Sequence, residues 1–259
     1  MLSRANEMLG YGIQATDGEI GEVMDLYFDC HTGVIRYFVV DTGSWLAGRQ
    51  VLISTASAQT PEEDAFEQGA GWDWSTESIP VALTREQVQN SPEVDLTIPV
   101  SPRHEAELAD YYELPTPQEV GRRTEPAPDG GPAPSAEGEA DPHLQSVREL
   151  LHYEAKAGDE TVGPITNCIV EHGLWVIRYI VVDATEAEPG RMLLLAADWI
   201  ERIQPEFDLV ILDLDPDRMV DSPEYNPTEV IDRDFEDRLF AHYGRAPYWS
   251  EGAQFSYER

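Results

Sequence analysis

Lysine is almost missing from this chain: Lys156 is the only one in 259 residues, and 50 aspartates and glutamates against 17 basic residues leave a formal net charge of −33. Such a surface repels nucleic-acid backbones and anionic lipid, and it serves as a solubilising coat. Cysteine is nearly as scarce. Cys30 and Cys168 belong to neither a CxxC pair nor a Cys/His cluster, so they are expected as reduced thiols rather than a disulfide framework or a zinc site. No apolar run reaches the 18 residues of a membrane helix, and Met1-Leu2-Ser3-Arg4-Ala5-Asn6 lacks the apolar core of a signal peptide. The expectation is a soluble, cytoplasmic protein without a transmembrane segment. The sequence also lacks a nucleophile elbow, a catalytic cysteine motif and any HExxH or HxxxH pair. Its nearest approach to a glycine-rich phosphate loop, Gly69-Ala70-Gly71, runs into Trp72 rather than a helix start.

What the chain does have is a duplication. Ile35-Arg36-Tyr37-Phe38-Val39-Val40-Asp41 returns as Ile177-Arg178-Tyr179-Ile180-Val181-Val182-Asp183. At the same interval after each copy comes Gly-Arg and an apolar run, Gly48-Arg49-Gln50-Val51-Leu52-Ile53 and Gly190-Arg191-Met192-Leu193-Leu194-Leu195. Upstream, Asp17 and Gly21 match Asp159 and Gly163, so one supersecondary unit occurs twice. Downstream the spacing shortens by eleven residues, which an acidic surface insertion around Ala58–Ala70 in the first copy accounts for.

The elements read as strands. Leu9, Tyr11 and Ile13 alternate; Asp17-Gly18 signals a type I′ hairpin; Ile20–Phe28 forms a second strand and Asp29–Gly33 the next reversal. Val34–Asp41 is apolar at nearly every position, as in a strand buried on both faces or in a closed barrel wall. Gly48 and Gly190 read as left-handed turn positions. Ile79–Leu83 and Val210–Leu214 are closing strands, followed by the matching Ser91-Pro92-Glu93 and Ser222-Pro223-Glu224. Each copy then ends in a helix, one capped by Ser101 with Pro102 in its first turn, the other carrying Ile231, Phe235, Leu239 and Tyr243 and stopping at Gly244. Between the copies, Pro115–Pro142 is rich in proline, glycine and acid without apolar periodicity, the composition of a disordered linker. The expected organisation is residues 1–114 for the first domain, 115–142 for the linker, 143–249 for the second domain and 250–259 for a tail.

On these strand motifs, and on Leu83-Thr84-Arg85-Glu86-Gln87-Val88 with Ser91-Pro92-Glu93, each copy resembles the PRC-barrel. That small β-barrel occurs in the cytoplasmic part of the photosynthetic reaction-centre H subunit and in the C-terminal domain of a ribosome maturation factor. The helix ends Tyr111-Tyr112 and His242-Tyr243 resemble the extension of bacterial tandem PRC-barrel proteins. The resemblance implies an all-β fold with short C-terminal helices, two barrels in tandem as a pseudo-twofold pair, and no enzyme. It implies a protein-protein interaction or assembly module, with a membrane or photosynthetic-type complex or a stress response as its setting, an unidentified protein partner and self-association through the barrels. The second copy departs from the pattern by lacking the Asp-Thr-Gly-x-Trp loop of Asp41–Trp45.

Candidate residues follow from these motifs. Arg36, Asp41, Arg49, Arg178, Asp183 and Arg191 are candidates for partner contacts or barrel-end hydrogen bonds; Arg36 and Asp41, five apart on one strand, face opposite sides. Trp45, at a loop tip, is the candidate exposed aromatic anchor, whereas Trp72, Trp74 and Trp175 read as core or rim. The alternative function is a small-ligand or metal sensor. Asp213, Asp215, Asp217, Asp221 and Glu224 have the spacing of calcium-loop positions 1, 3, 5, 9 and 12, but Arg218 stands where such a loop needs glycine. No catalytic residue, cofactor or metal is assigned.

Overall fold

The computed structural model describes residues 1–59, 77–93, 100–114, 141, 143–185 and 189–250. Trp72, Trp74, most of the acidic insertion, the linker apart from residue 141, and the tail beyond residue 250 lie outside the described residues. The chain divides into two compact units that are discontinuous in sequence. One holds Glu7–Cys30 and Val34–Ser146, the other Met1–Asn6, His31–Gly33 and Val147–Arg259. These divisions differ from boundaries at 114 and 143, because each unit includes a short strand that precedes the other copy.

The chain opens with β1 (Leu2–Arg4) and the one-turn helix Ala5–Met8, then enters the first unit's strands. These are β2 (Gly12–Ala15), β3 (Gly18–Asp29), β4 (Ile35–Asp41), β5 (Gln50–Ser54), β6 (Ser78–Pro80) and β7 (Leu144–Ser146). Their order is β5-β4-β3-β2-β6, with β7 against the far end of β3. The hairpin at Asp17-Gly18 forms, although not as a type I′ turn. Only Gly18, at φ +147°, leaves ordinary backbone space there, and a register shift between Ile13 and Gln14 absorbs the twist. In β4 every residue except Arg36 and Asp41 is buried, as its continuous apolar run predicts.

The second unit repeats the plan with β8 (Glu154–Ala157), β9 (Glu160–Glu171), β10 (Val176–Asp183), β11 (Met192–Ala196), β12 (Ile200–Gln204) and β13 (Leu209–Leu212). The order is β11-β10-β9-β8-β13-β12, with β1 against β9. A single 3-10 turn, Ala197–Trp199, carries the chain from β11 to β12, so one turn of backbone joins the two ends of the ladder. The first unit has the matching turn Thr55–Ser57, followed by a bridge between Ala58 and Val81. The protein is therefore mostly β in two sheets, with short helices. Among the described residues no helix is long and apolar enough to cross a membrane.

Glycine at positions 21 and 163 has a steric cause. A Cβ on Gly21 would stand 2.0 Å from the Asp41 carbonyl oxygen, and one on Gly163 would stand 1.9 Å from that of Asp183. The long strand crosses its neighbour too closely for any side chain. Gly48 and Gly190 have open space around them but φ of +72° and +81°, so their requirement is the left-handed turn.

Each unit is completed by its terminal helix. Ser101 caps Pro102–Tyr112 by accepting from His104 N, with proline in the first turn; Asp232 caps Arg233–Tyr243 by accepting from Phe235 N, and Gly244 ends it in left-handed conformation. The short helix Arg85–Gln89 starts in a capping box between Thr84 and Gln87.

Candidate functional site

The residues that the two copies share converge on the terminal helices. In the first unit Arg36 rises from β4, its side chain 13% exposed, and meets three carboxylates. It bonds Asp29, both oxygens of Glu105 at 3.1 and 3.2 Å, and Asp141 at 2.7 Å. Glu105 belongs to the terminal helix and is also bonded by Tyr37. Burial pushes the Glu105 carboxyl up despite the Arg36 guanidinium beside it. Burial alone would lower Arg36, but Asp29 and Glu105 outweigh it and hold the guanidinium above its ordinary value. Burial, with Asp29 and Asp141 nearby, pushes the Cys30 thiol up to about 12, so it is no nucleophile at neutral pH.

The second unit places Arg178, Tyr179 and Glu236 at the corresponding positions. Tyr179 donates to Glu236 across 2.5 Å, and burial first, then that bond, raises the phenol well above its usual range. Arg178 pairs with Glu171 at 2.5 Å and lies 4.2 Å from the ring centre of Tyr248, while Glu236 takes an ion pair from Arg233 at 3.1 Å. An aromatic cluster replaces the extra carboxylate. Trp199 lies 5.3 Å from Phe240 and 4.6 Å from Tyr243, and Phe240 lies 5.4 Å from Trp249.

The Gly-Arg motif performs a second shared task. Arg49 donates to the carbonyls of Gln89, Ser91 and Pro92 at 3.1, 2.7 and 3.0 Å, and Arg191 donates to those of Met219 and Ser222 at 3.1 Å each. Both thereby hold the chain at the C-terminal end of a short helix, Arg85–Gln89 or Pro216–Val220, where carbonyls lack helical partners. Ser91 in turn faces the Tyr112 hydroxyl and Ser222 faces that of Tyr243, the last residues of the two terminal helices. Asp41 and Asp183 accept from the backbone N–H of Gly43 and Thr185, each at 2.8 Å, which shapes the following turn.

One feature of the first unit lies apart from these shared bonds. The Asp41–Trp45 loop folds back over the start of β3, and an open groove of about 620 Å³ forms there. Glu19–Met24, Asp41–Gly43, Trp45 and Arg85 line it. Trp45 is half-buried rather than an exposed tip: its indole N–H donates to the Ile20 carbonyl and the Arg85 guanidinium lies 4.3 Å from its ring centre. Glu19 and Glu22 are exposed at the rim.

The acidic series of the second copy takes a different form from a cation loop. Pro216–Val220 is helical, Asp215 caps it by accepting from Asp217 N, and Asp213 is held by Arg245 at 2.7 Å. Among the described residues Asp213, Asp215, Asp217, Asp221 and Glu224 do not gather closely enough to share one ion. Trp175, read as core or rim, is buried.

Arg36, Asp41, Arg49, Arg178, Asp183 and Arg191 thus serve internal bonds, and the sequence reading missed their partners Glu105, Glu236, Asp141 and Tyr248. A signal was present, because Glu105 and Glu236 stand at the same place in the two terminal helices.

Each copy is an antiparallel ladder built around a twelve-residue strand, with one parallel pairing toward its end and a C-terminal helix. Residues 2–68 match the family model of the PRC-barrel domain. The match covers that copy alone; the second shares its strand order and registers. No curated protein matches the chain.

Proposed function

We propose that this protein is a non-catalytic interaction module, and that the groove of its first copy docks a basic segment of a protein partner. The observation that carries this reading is the contrast between shared and unshared residues. The shared polar residues are spent on internal bonds that hold helices and turns, whereas several residues lining the groove are replaced in the second copy. Trp45, Arg85 and Glu22 correspond there to Ala187, Pro216 and Pro164. Glu19, Glu22 and Asp41 give the groove an acidic rim, and a chain of net charge −33 steers cationic segments toward it. Trp45 supplies a rigid aromatic wall of the kind that dominates binding energy at interfaces. The PRC-barrel domain supports an interaction role in general. Within it, assembly of a membrane or photosynthetic-type complex, or a stress response, is the setting we favour.

The test is affinity capture with the full chain from its native cytoplasm, at the salt of that cytoplasm. Wild type, Trp45→Ala, Glu22→Lys and the control Arg202→Ala are compared after circular dichroism shows each folded. A basic protein retained by wild type and Arg202→Ala, and lost from both groove variants, is the expected result. Equal retention by all four would place the docking surface elsewhere.

A further inference from the structure

The far end of each long strand carries a strand that comes from before the other copy. On β3, Leu144, Gln145 and Ser146 pair antiparallel with Asp29, Phe28 and Tyr27. On β9, Leu2, Ser3 and Arg4 pair antiparallel with Glu171, Val170 and Ile169. The registers are equivalent position by position, and so are the flanking bonds: Cys30 N donates to the His143 carbonyl at 2.8 Å, and His172 N donates to the Met1 carbonyl at 2.9 Å. Ser146 further donates its hydroxyl to Asp25, and Asn6 N donates to the Asn167 side chain at 3.2 Å, so the lead segments bond equivalent acceptors on the two long strands. Neither lead strand lies on the sheet that follows it in sequence.

We propose that the edges Tyr27–Asp29 and Ile169–Glu171 are self-recognition surfaces whose partner is the lead segment of a second copy of the same module. Strand addition satisfies a row of backbone groups that an open edge would expose, and the identical register at both edges shows that the same sequence position fits both. A three-residue strand adds few bonds, so its pairing gains from a high local concentration. Tandem duplication supplies that concentration within one chain. The exchange also means that cutting the linker leaves each half holding a strand of the other half's sheet.

The experiment uses the full chain with a protease site engineered within residues 120–135. After cleavage under native conditions the halves are expected to co-elute as one species near the 29.0 kDa of the intact chain; their separate elution would overturn the proposal. In parallel, Leu2→Cys/Glu171→Cys, made with Cys30→Ser, places thiols on a directly opposed pair. Mild oxidation followed by linker cleavage is expected to leave the halves joined on a non-reducing gel. The pair Leu2→Cys/Asp29→Cys, which reports a lead strand on its own copy's edge, is expected to keep both thiols free to titrate after the same oxidation. Cross-linking of this second pair alone would contradict the exchange. A cross-linked band of twice the chain mass from the first pair would keep the edge and assign its partner to a neighbouring chain.

Discussion

The two copies dock the same helix on the same sheet with different third partners. In the first, Arg36 is surrounded by Asp29, Glu105 and Asp141, an ionic lock with more negative than positive charge. In the second, Arg178 keeps one carboxylate and stacks on Tyr248, and Trp199, Phe240, Tyr243 and Trp249 supply apolar contact. The difference teaches which residues the architecture needs. Arginine and tyrosine on the central strand and glutamate on the helix persist in both copies; what completes the arginine's shell is interchangeable, provided it comes from chain beyond the helix. The Asp-Thr-Gly-x-Trp loop that walls the groove occurs in the sequence of the first copy and not in that of the second, so the shared fold does not require it.

The comparison is most sharply broken at the arginines. Arg36→Met leaves three largely buried carboxylates without their cation and is expected to cost about 3–5 kcal/mol in urea unfolding. Arg178→Met leaves Glu171, 24% exposed, able to turn toward water, and is expected to cost about 1–2 kcal/mol. Equal losses would show that the two locks are energetically alike. Next come Gly21→Ala and Gly163→Ala. Each forces a methyl against a carbonyl and should cost about 2–3 kcal/mol by the same measurement, alike in both copies.

The copies are also expected to answer pH in opposite directions. Glu105 holds its proton more tightly folded than unfolded, because burial raises its pKa; its contribution is present in acid and lost as pH climbs above the ordinary carboxylate value. Burial, and then the N-terminal ammonium, lowers His172 to about 4. Its contribution is complete above the ordinary 6.5 and is lost as pH falls from 6.5 to about 4, amounting to about 3 kcal/mol. Hydrogen exchange followed separately in β4 and β10 at pH 4 and pH 7 checks the signs, and Glu105→Gln and His172→Gln should each flatten one response. The smallest effect is expected from Arg49→Ala and Arg191→Ala. Each loses charged bonds to backbone carbonyls, about 1–2 kcal/mol in urea unfolding, and a clear inequality would show that the Gly-Arg motif has separate duties in the two copies.

The repeat itself was fully legible, because strand periodicity, turn glycines and helix caps are local signals. Gly21 and Gly163 were visible as a match, but their reason is a long-range crossing that no window of sequence contains. Arg36 and Asp41 do part company, as their spacing implies; their partners could not be read because Glu105 is 69 positions from Arg36 and Asp141 is 105. Trp45 looked like an exposed anchor because a loop tip is usually solvated; the Ile20 carbonyl and Arg85 draw it back. The exchanged lead strands left no local trace, since a three-residue segment carries no sign of which equivalent edge it joins.

The claim that the shared arginine, tyrosine and glutamate exist to seat the terminal helix is tested most directly by hydrogen exchange of Arg36→Met. The account predicts that amides of Pro102–Tyr112 lose more protection than those of the β3–β4 ladder, while the helix Arg233–Tyr243 keeps its own. Unchanged protection of Pro102–Tyr112 in a folded Arg36→Met chain would contradict it.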